Sequence, residues 1–185
     1  MKNHPTHEQL IAKAKAYAEI HLRKQGNIPP LFLAVTPDES FTLFPENVED
    51  EKTRESFGFL ARLTCAAHGA IGAMFAAEAW VSAIEPGEPP DLPLAEAFNR
   101  KECVLIASEL MAGAQRHTLL PVIRTDAGTY FGLGEPETMP ADLGGDRSTW
   151  FLPPDQITES DRRIARALLE SLQKPPAKNQ PHRRK

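Results

Sequence analysis

Cysteine is nearly missing from this chain. Cys65 and Cys103 are its only two in 185 residues, too few for a disulfide framework and best read as small buried hydrophobes in a reducing compartment. Long apolar runs are missing too. The best candidate, residues 70–84, is interrupted by Glu78 and falls short of the roughly 18 uncharged residues that a membrane span needs. Met1-Lys2-Asn3-His4-Pro5 leads straight into a charged amphipathic stretch, so no signal peptide is expected and the expected location is cytoplasmic. Neither Gly132-Leu133-Gly134 nor Gly144-Gly145 is followed by Lys-Ser or Lys-Thr, which excludes a phosphate loop. Acid is absent from residues 174–185, which carry Lys174, Lys178, Arg183, Arg184 and Lys185. Residues 1–173 therefore hold 16 basic against 25 acidic groups, a balance of −9. Such a body does not bind nucleic acid through a broad basic face, so nucleic acid is expected only through the tail, if at all.

What is present suits one domain of ordinary size. With 41% hydrophobic and 25% charged residues, residues 1–173 are expected to fold as a single unit, with 174–185 as a disordered tail. Thr6 and Gln9 are spaced as a capping box, and Leu10, Ala14, Tyr17 and His21 follow at helical intervals, predicting a helix over 7–24. Ile28-Pro29-Pro30 forces an extended entry into Leu31–Val35, and Pro37-Asp38-Glu39 turns that strand back along Phe41–Phe44. Glu49, Asp50 and Glu51 mark the start of a second helix with Phe57, Leu60, Leu63, Thr64 and Ala67 on one face, ending at Gly69. Strands are expected over 102–110, 115–124 and 129–131, with 132–154 irregular. A last helix begins at Thr158, with Ile164, Leu168 and Leu172 as its apolar face. A helical turn is expected at 94–98, inside a proline-rich connection that begins at Glu85.

Residues 70–84 decide the architecture. They read as a strand; the rival, one helix from Thr53 to Ile84, would place Gly69 and Gly72 in its interior. The order helix, two strands, helix, three or four strands, helix then gives an α+β fold. About five antiparallel strands carry packed helices, an order that resembles the profilin-like arrangement of roadblock and longin domains.

In that strand Ile71, Ala73, Phe75, Ala77, Ala79 and Val81 share the face expected to pack under the helices, while Met74, Ala76, Glu78, Trp80 and Ser82 share the other. If the even positions of the next strands join the second set, Glu78, Trp80, Glu102 and Arg116 form a polar and aromatic patch with Arg100 at its edge. The plain alternative is a cross-strand ladder of opposite charges. Cys65 and His68, with Cys103 or His117, are the only hint of zinc ligation, and two ligands do not make a site; no metal and no cofactor are expected.

Glu78-Ala79-Trp80, the proline-bearing connection and Asn99-Arg100-Lys101-Glu102 resemble a group of bacterial and phage-borne proteins. These share a Glu-Ala-Trp strand followed by an Arg-x-Glu strand start. The resemblance covers roughly residues 70–109 and implies a prokaryotic or phage origin without implying a mechanism. Asn99 stands where that group more usually has aspartate.

Two functions are left. One is a non-catalytic protein-interaction or accessory domain, with a protein partner or a second copy of itself, that uses a sheet edge or the Glu78/Trp80 face, with Trp80, Arg100 and Arg116 as binding residues. The other is a hydrolase or small-ligand enzyme with Glu78 or Glu102 as general acid/base.

Overall fold

Thr6 opens the first helix as its spacing requires. Gln9 N–H donates to Thr6 Oγ1 at 3.3 Å and Thr6 N–H donates to Gln9 Oε1 at 3.0 Å, closing both halves of the capping box. A computed structural model describes residues 4–45, 50–82, 100–111, 113–139, 150–151 and 157–173. Within these, helix α1 runs His7–Gln25 and stops on Gly26, whose φ of 78° suits a residue without a Cβ. Helix α2, Glu51–His68, starts where the Asp50 carboxylate accepts from Thr53 N–H and ends on Gly69 at φ 64°. That left-handed residue is the physical reason residues 53–84 are not one helix.

The strands are β1 (Leu31–Val35), β2 (Ser40–Leu43), β3 (Gly72–Val81), β4 (Lys101–Leu110), β5 (Gln115–Arg124), β6 (Tyr130–Leu133) and β7 (Glu137–Thr138), followed by helix α3, Glu159–Gln173. The protein is α+β. Its sheet runs β2-β1-β3-β4-β5-β6, antiparallel throughout, with β7 on β5 through Thr118 and Leu119. Among the described residues seven strands replace the expected five or so. The extra pairing comes from the stretch expected to be irregular: β6 extends to Leu133, and β7 takes the part of the β5 edge that β6 leaves open. The turn expected at 94–98 and the tail 174–185 lie outside the described residues.

Helices cover both faces of the sheet, not one. Leu10, Ala14, Ala18 and Leu22 of α1 pack with Leu31, Leu33, Met74, Ala76, Val104, Ile106 and Leu120, so the even positions of β3 to β5 lie under α1. On the opposite face, Ala61 and Cys65 of α2 pack with Phe32, Ala34 and Ala73. β1 is apolar at every position because consecutive side chains enter opposite cores.

Helix α3 packs on α2 by a face the large-residue stripe does not indicate. Ala165 and Leu169 are buried against Leu63 and Ala67, and Arg166 Nε–H donates to Ala67 O at 2.8 Å near the end of α2. Ile164, Leu168 and Leu172 are exposed. The contact is made by two alanines and two leucines, one of each from either helix, so small residues as well as large ones mark the packed face.

Candidate functional site

Strand parity carries Glu78, Trp80 and Glu102 to the end of the sheet that lies beside the C-terminus of α1. Trp80 is opposite Glu102 in the β3–β4 ladder, and Glu78 is opposite Val104. Arg116 is not with them. It lies at the start of β5, and its Nη1–H donates to Glu8 on α1 at 2.7 Å. That pair is part of the anchorage of the first turn of α1. Ser108 Oγ–H donates to Arg116 O at 3.2 Å, and Ser108 Oγ lies 2.8 Å from His7 Nδ1, from which it accepts. Burial, then the Arg116 charge, lowers the His7 pKa below its ordinary 6.5.

Arg124, at the far end of β5, takes the place expected for Arg116. Its Nε–H donates to Glu102 Oε2 at 2.6 Å and its Nη2–H to Glu102 Oε1 at 2.5 Å, a bidentate pair. Further N–H groups reach Gly26 O at 2.8 Å and Gly128 O at 3.3 Å. One guanidinium thus ties β4 to the C-cap of α1 and to the β5–β6 turn. The hydrogen bonds to Glu102 raise the Arg124 pKa above its ordinary value. Glu78 Oε2 accepts from Ile28 N–H at 3.4 Å; that donor precedes two prolines, which have no N–H of their own. Trp80 is 45% exposed, and the Arg100 guanidinium carbon lies 5.1 Å from its ring centroid, within cation–π range.

This arrangement constrains the chemistry. The Glu102 side chain is only 8% accessible, and both of its oxygens are engaged by Arg124. A general acid or base must present an oxygen to the proton it moves, and Glu102 presents none outward.

The carboxyl that burial does perturb is Glu109. It is 3% exposed on the α2 side, and Trp150 N–H donates to its Oε2 at 2.8 Å. Desolvation raises its pKa above the ordinary 4.5 despite that bond. Glu109 shares a face of β4 with Cys103, which is buried, and with Leu105 and Ala107, which are half-buried, so strand parity alone does not mark it as a buried carboxyl. Cys65, close enough to feel the Glu109 charge, has its thiol pushed up by burial first and by Glu109 second. The Cys103 thiol is pushed up to about 11, again chiefly by burial. Both are poor nucleophiles. The cavity beside Cys65, lined by Arg62, Gly69, Met111, Trp150 and Arg162 among others, measures ≈ 10 Å³, room for about one water.

Because Glu109 is more readily protonated when folded, its stabilising share is complete below pH 4.5 and is lost as pH rises through its folded value. Glu109→Gln is therefore expected to raise the melting temperature at pH 7 and to leave it nearly unchanged at pH 4. Circular dichroism melts at both pH values check this; equal shifts at both would refute the assignment to charge burial.

His68 stacks on Phe41 with centroids 3.6 Å apart. Burial lowers its pKa below the ordinary 6.5, outweighing the Glu39 charge that raises it. Among the described residues, no group of three His, Cys, Asp or Glu side chains is placed to hold a metal ion. A larger open groove of ≈ 410 Å³ lies between α1 and the end of β1, lined by Pro5, Leu10, Lys13, Val35 and Pro37 among others. None of the candidate site residues Glu78, Trp80, Arg100, Glu102 and Arg116 lines it. Among the described residues, no helix is long and apolar enough to cross a membrane.

No family model, no curated protein and no solved structure matches the chain.

Proposed function

We propose that this chain is a small cytoplasmic protein-interaction or accessory domain, of bacterial or phage origin, that docks a partner through the corner around Trp80. The observation that carries this reading is a tryptophan 45% exposed beside a network, Glu102–Arg124–Gly26, that holds its surroundings in place. Tryptophan and arginine are the residues in which interface energy concentrates, and a fixed backbone lowers the ordering cost of docking. Engagement of both Glu102 oxygens by Arg124 favours docking over acid/base chemistry. The origin is supported by the Glu-Ala-Trp and Arg-x-Glu elements alone.

The test is Trp80→Ala. With a partner isolated on the immobilised chain, the variant is expected to bind at least about tenfold more weakly while melting at the same temperature as the parent. Undiminished binding by the variant overturns the proposal.

A further inference from the structure

Helix α1 is fastened differently at its two ends. At its C-terminus the Arg124 guanidinium donates to Gly26 O at 2.8 Å, and an arginine keeps its proton at any ordinary pH. At its N-terminus the fastening passes through a histidine. His7, 8% exposed, is the first residue of the helix. Its Nδ1–H donates to Ser108 Oγ at 2.8 Å, and the Ser108 hydroxyl donates in turn to Arg116 O at 3.2 Å. The Arg116 guanidinium returns to the neighbouring Glu8 at 2.7 Å, which closes a ring of four residues around the first turn. Pro5, just before that turn, lies on Gly72, so near that a Cβ at 72 would stand 2.7 Å from Pro5 Cγ.

This place suits a neutral imidazole and opposes an imidazolium. Ser108 from β4 and Arg116 from β5 face the ring, and Glu8 stands beside it on α1. On the same face β1 and β3 bring Leu33, Val35, Gly72 and Met74, which carry no charge. Burial and the Arg116 charge oppose the cation while Glu8 favours it, and the balance is a pKa below 6.5. The helix N-terminus opposes a cation as well. Hydrogen bonding to Arg116 holds the Glu8 carboxyl down at about 2, so that ion pair stays charged while His7 titrates. We infer that the first turn of α1 is an acid-released latch: protonation of His7 frees residues 7–10 from β4 and β5, while Arg124 keeps the far end of the helix in place. Release uncovers Leu10, which is fully buried, and extends beneath the opened turn the groove of ≈ 410 Å³ that Pro5, Leu10, Lys13 and Val35 help to line. Because the folded pKa of His7 is lowered, its share in holding the turn is complete above pH 6.5 and is lost as pH falls through the folded value. The latch lies at the other end of α1 from Trp80 and does not depend on the docking reading.

The experiment is an NMR titration of the full chain from about pH 7 down to about pH 5, the range in which a histidine changes charge. It reads the His7 imidazole and the protection of backbone amides, each corrected for intrinsic exchange. His7 is expected to titrate below 6.5. The amides of Gln9 and Leu10, both bonded to Thr6, are expected to lose protection severalfold on acidification, while that of Gly26, bonded to Leu22 O, keeps its own. His7→Gln retains a donor for Ser108 but takes up no proton, so in this variant Gln9 and Leu10 should stay protected across the range. Four results overturn the inference: a His7 pKa at or above 6.5, unchanged protection of Gln9 and Leu10, a loss of protection spread evenly along α1, or the same loss in His7→Gln. Should His7→Gln not fold, the first three are read on the parent alone and still decide it.

Discussion

Phe32→Ala is expected to cost about 3–5 kcal/mol, the largest effect of any single substitution considered for this protein. Phe32 is fully buried and stands on the α2 face of β1, between Leu43 of β2 and Phe75 of β3 in the ladders. Its ring meets Phe57 edge-on at 5.9 Å and Trp150 edge-on at 5.3 Å, so one side chain joins the sheet, α2 and residue 150. The buried residues around it are small: Ala34, Ala61, Cys65, Ala70 and Ala73. Such neighbours cannot swing in to fill the space, and an unfilled cavity adds its own penalty to the lost transfer free energy. Domains of this kind have a total stability of about 5–15 kcal/mol, so the variant should be partly unfolded at moderate urea. Equilibrium urea unfolding measures the loss; a change under about 1 kcal/mol would show that the aromatic cluster closes over the gap.

Arg124→Met is the second, with an expected loss of about 3 kcal/mol. The substitution keeps much of the apolar stem but strands Glu102, whose side chain is 8% accessible, without its counter-ion. The carbonyls of Gly26 and Gly128 lose a donor too, though both bonds are exposed and water replaces them cheaply. Most of the cost is therefore the isolated carboxylate. It follows that Glu102→Leu combined with Arg124→Met should recover most of the loss, since removing both charges removes the desolvation problem. Denaturation of the parent, both single variants and the double variant gives the coupling directly. A double variant no better than Arg124→Met alone would mean that the bonds to Gly26 and Gly128, rather than the ion pair, hold this corner.

Much of the fold could be read from local chemistry. The Thr6/Gln9 box, the turn at Pro37-Asp38-Glu39 and the stop at Gly69 each act within a few residues, and each is present. Gly72 shows what local reading leaves out: a Cβ there would lie 2.7 Å from Pro5 Cγ, a long-range contact that spacing along the chain does not reveal. Sidedness was equally hidden. Alternation divides β3 into two faces but does not say that α1 takes one and α2 the other. β7 has two exposed residues and no apolar pattern, so only its pairing with β5 marks it as a strand.

The site was legible in the same partial way. Parity and register bring Glu78, Trp80 and Glu102 together, because an antiparallel pair of ten-residue strands preserves the face of each position. The choice of arginine depended on which end of β5 meets the start of β4. The tight turn after Leu110 places Arg116 beside Ser108, and Arg124 is the residue of that face left to meet Glu102.

The lengths of the strands have a further bearing on how the protein behaves when concentrated. The three longest, β3, β4 and β5, have 10 residues each and lie inside the sheet, while β2 and β6, at its margins, have 4 each. Few backbone N–H and C=O groups are left along either margin to template another chain, and short outer strands are one of the means by which sheets resist fibrous growth. Among the described residues, the sheet margins give a neighbouring chain little backbone to pair with.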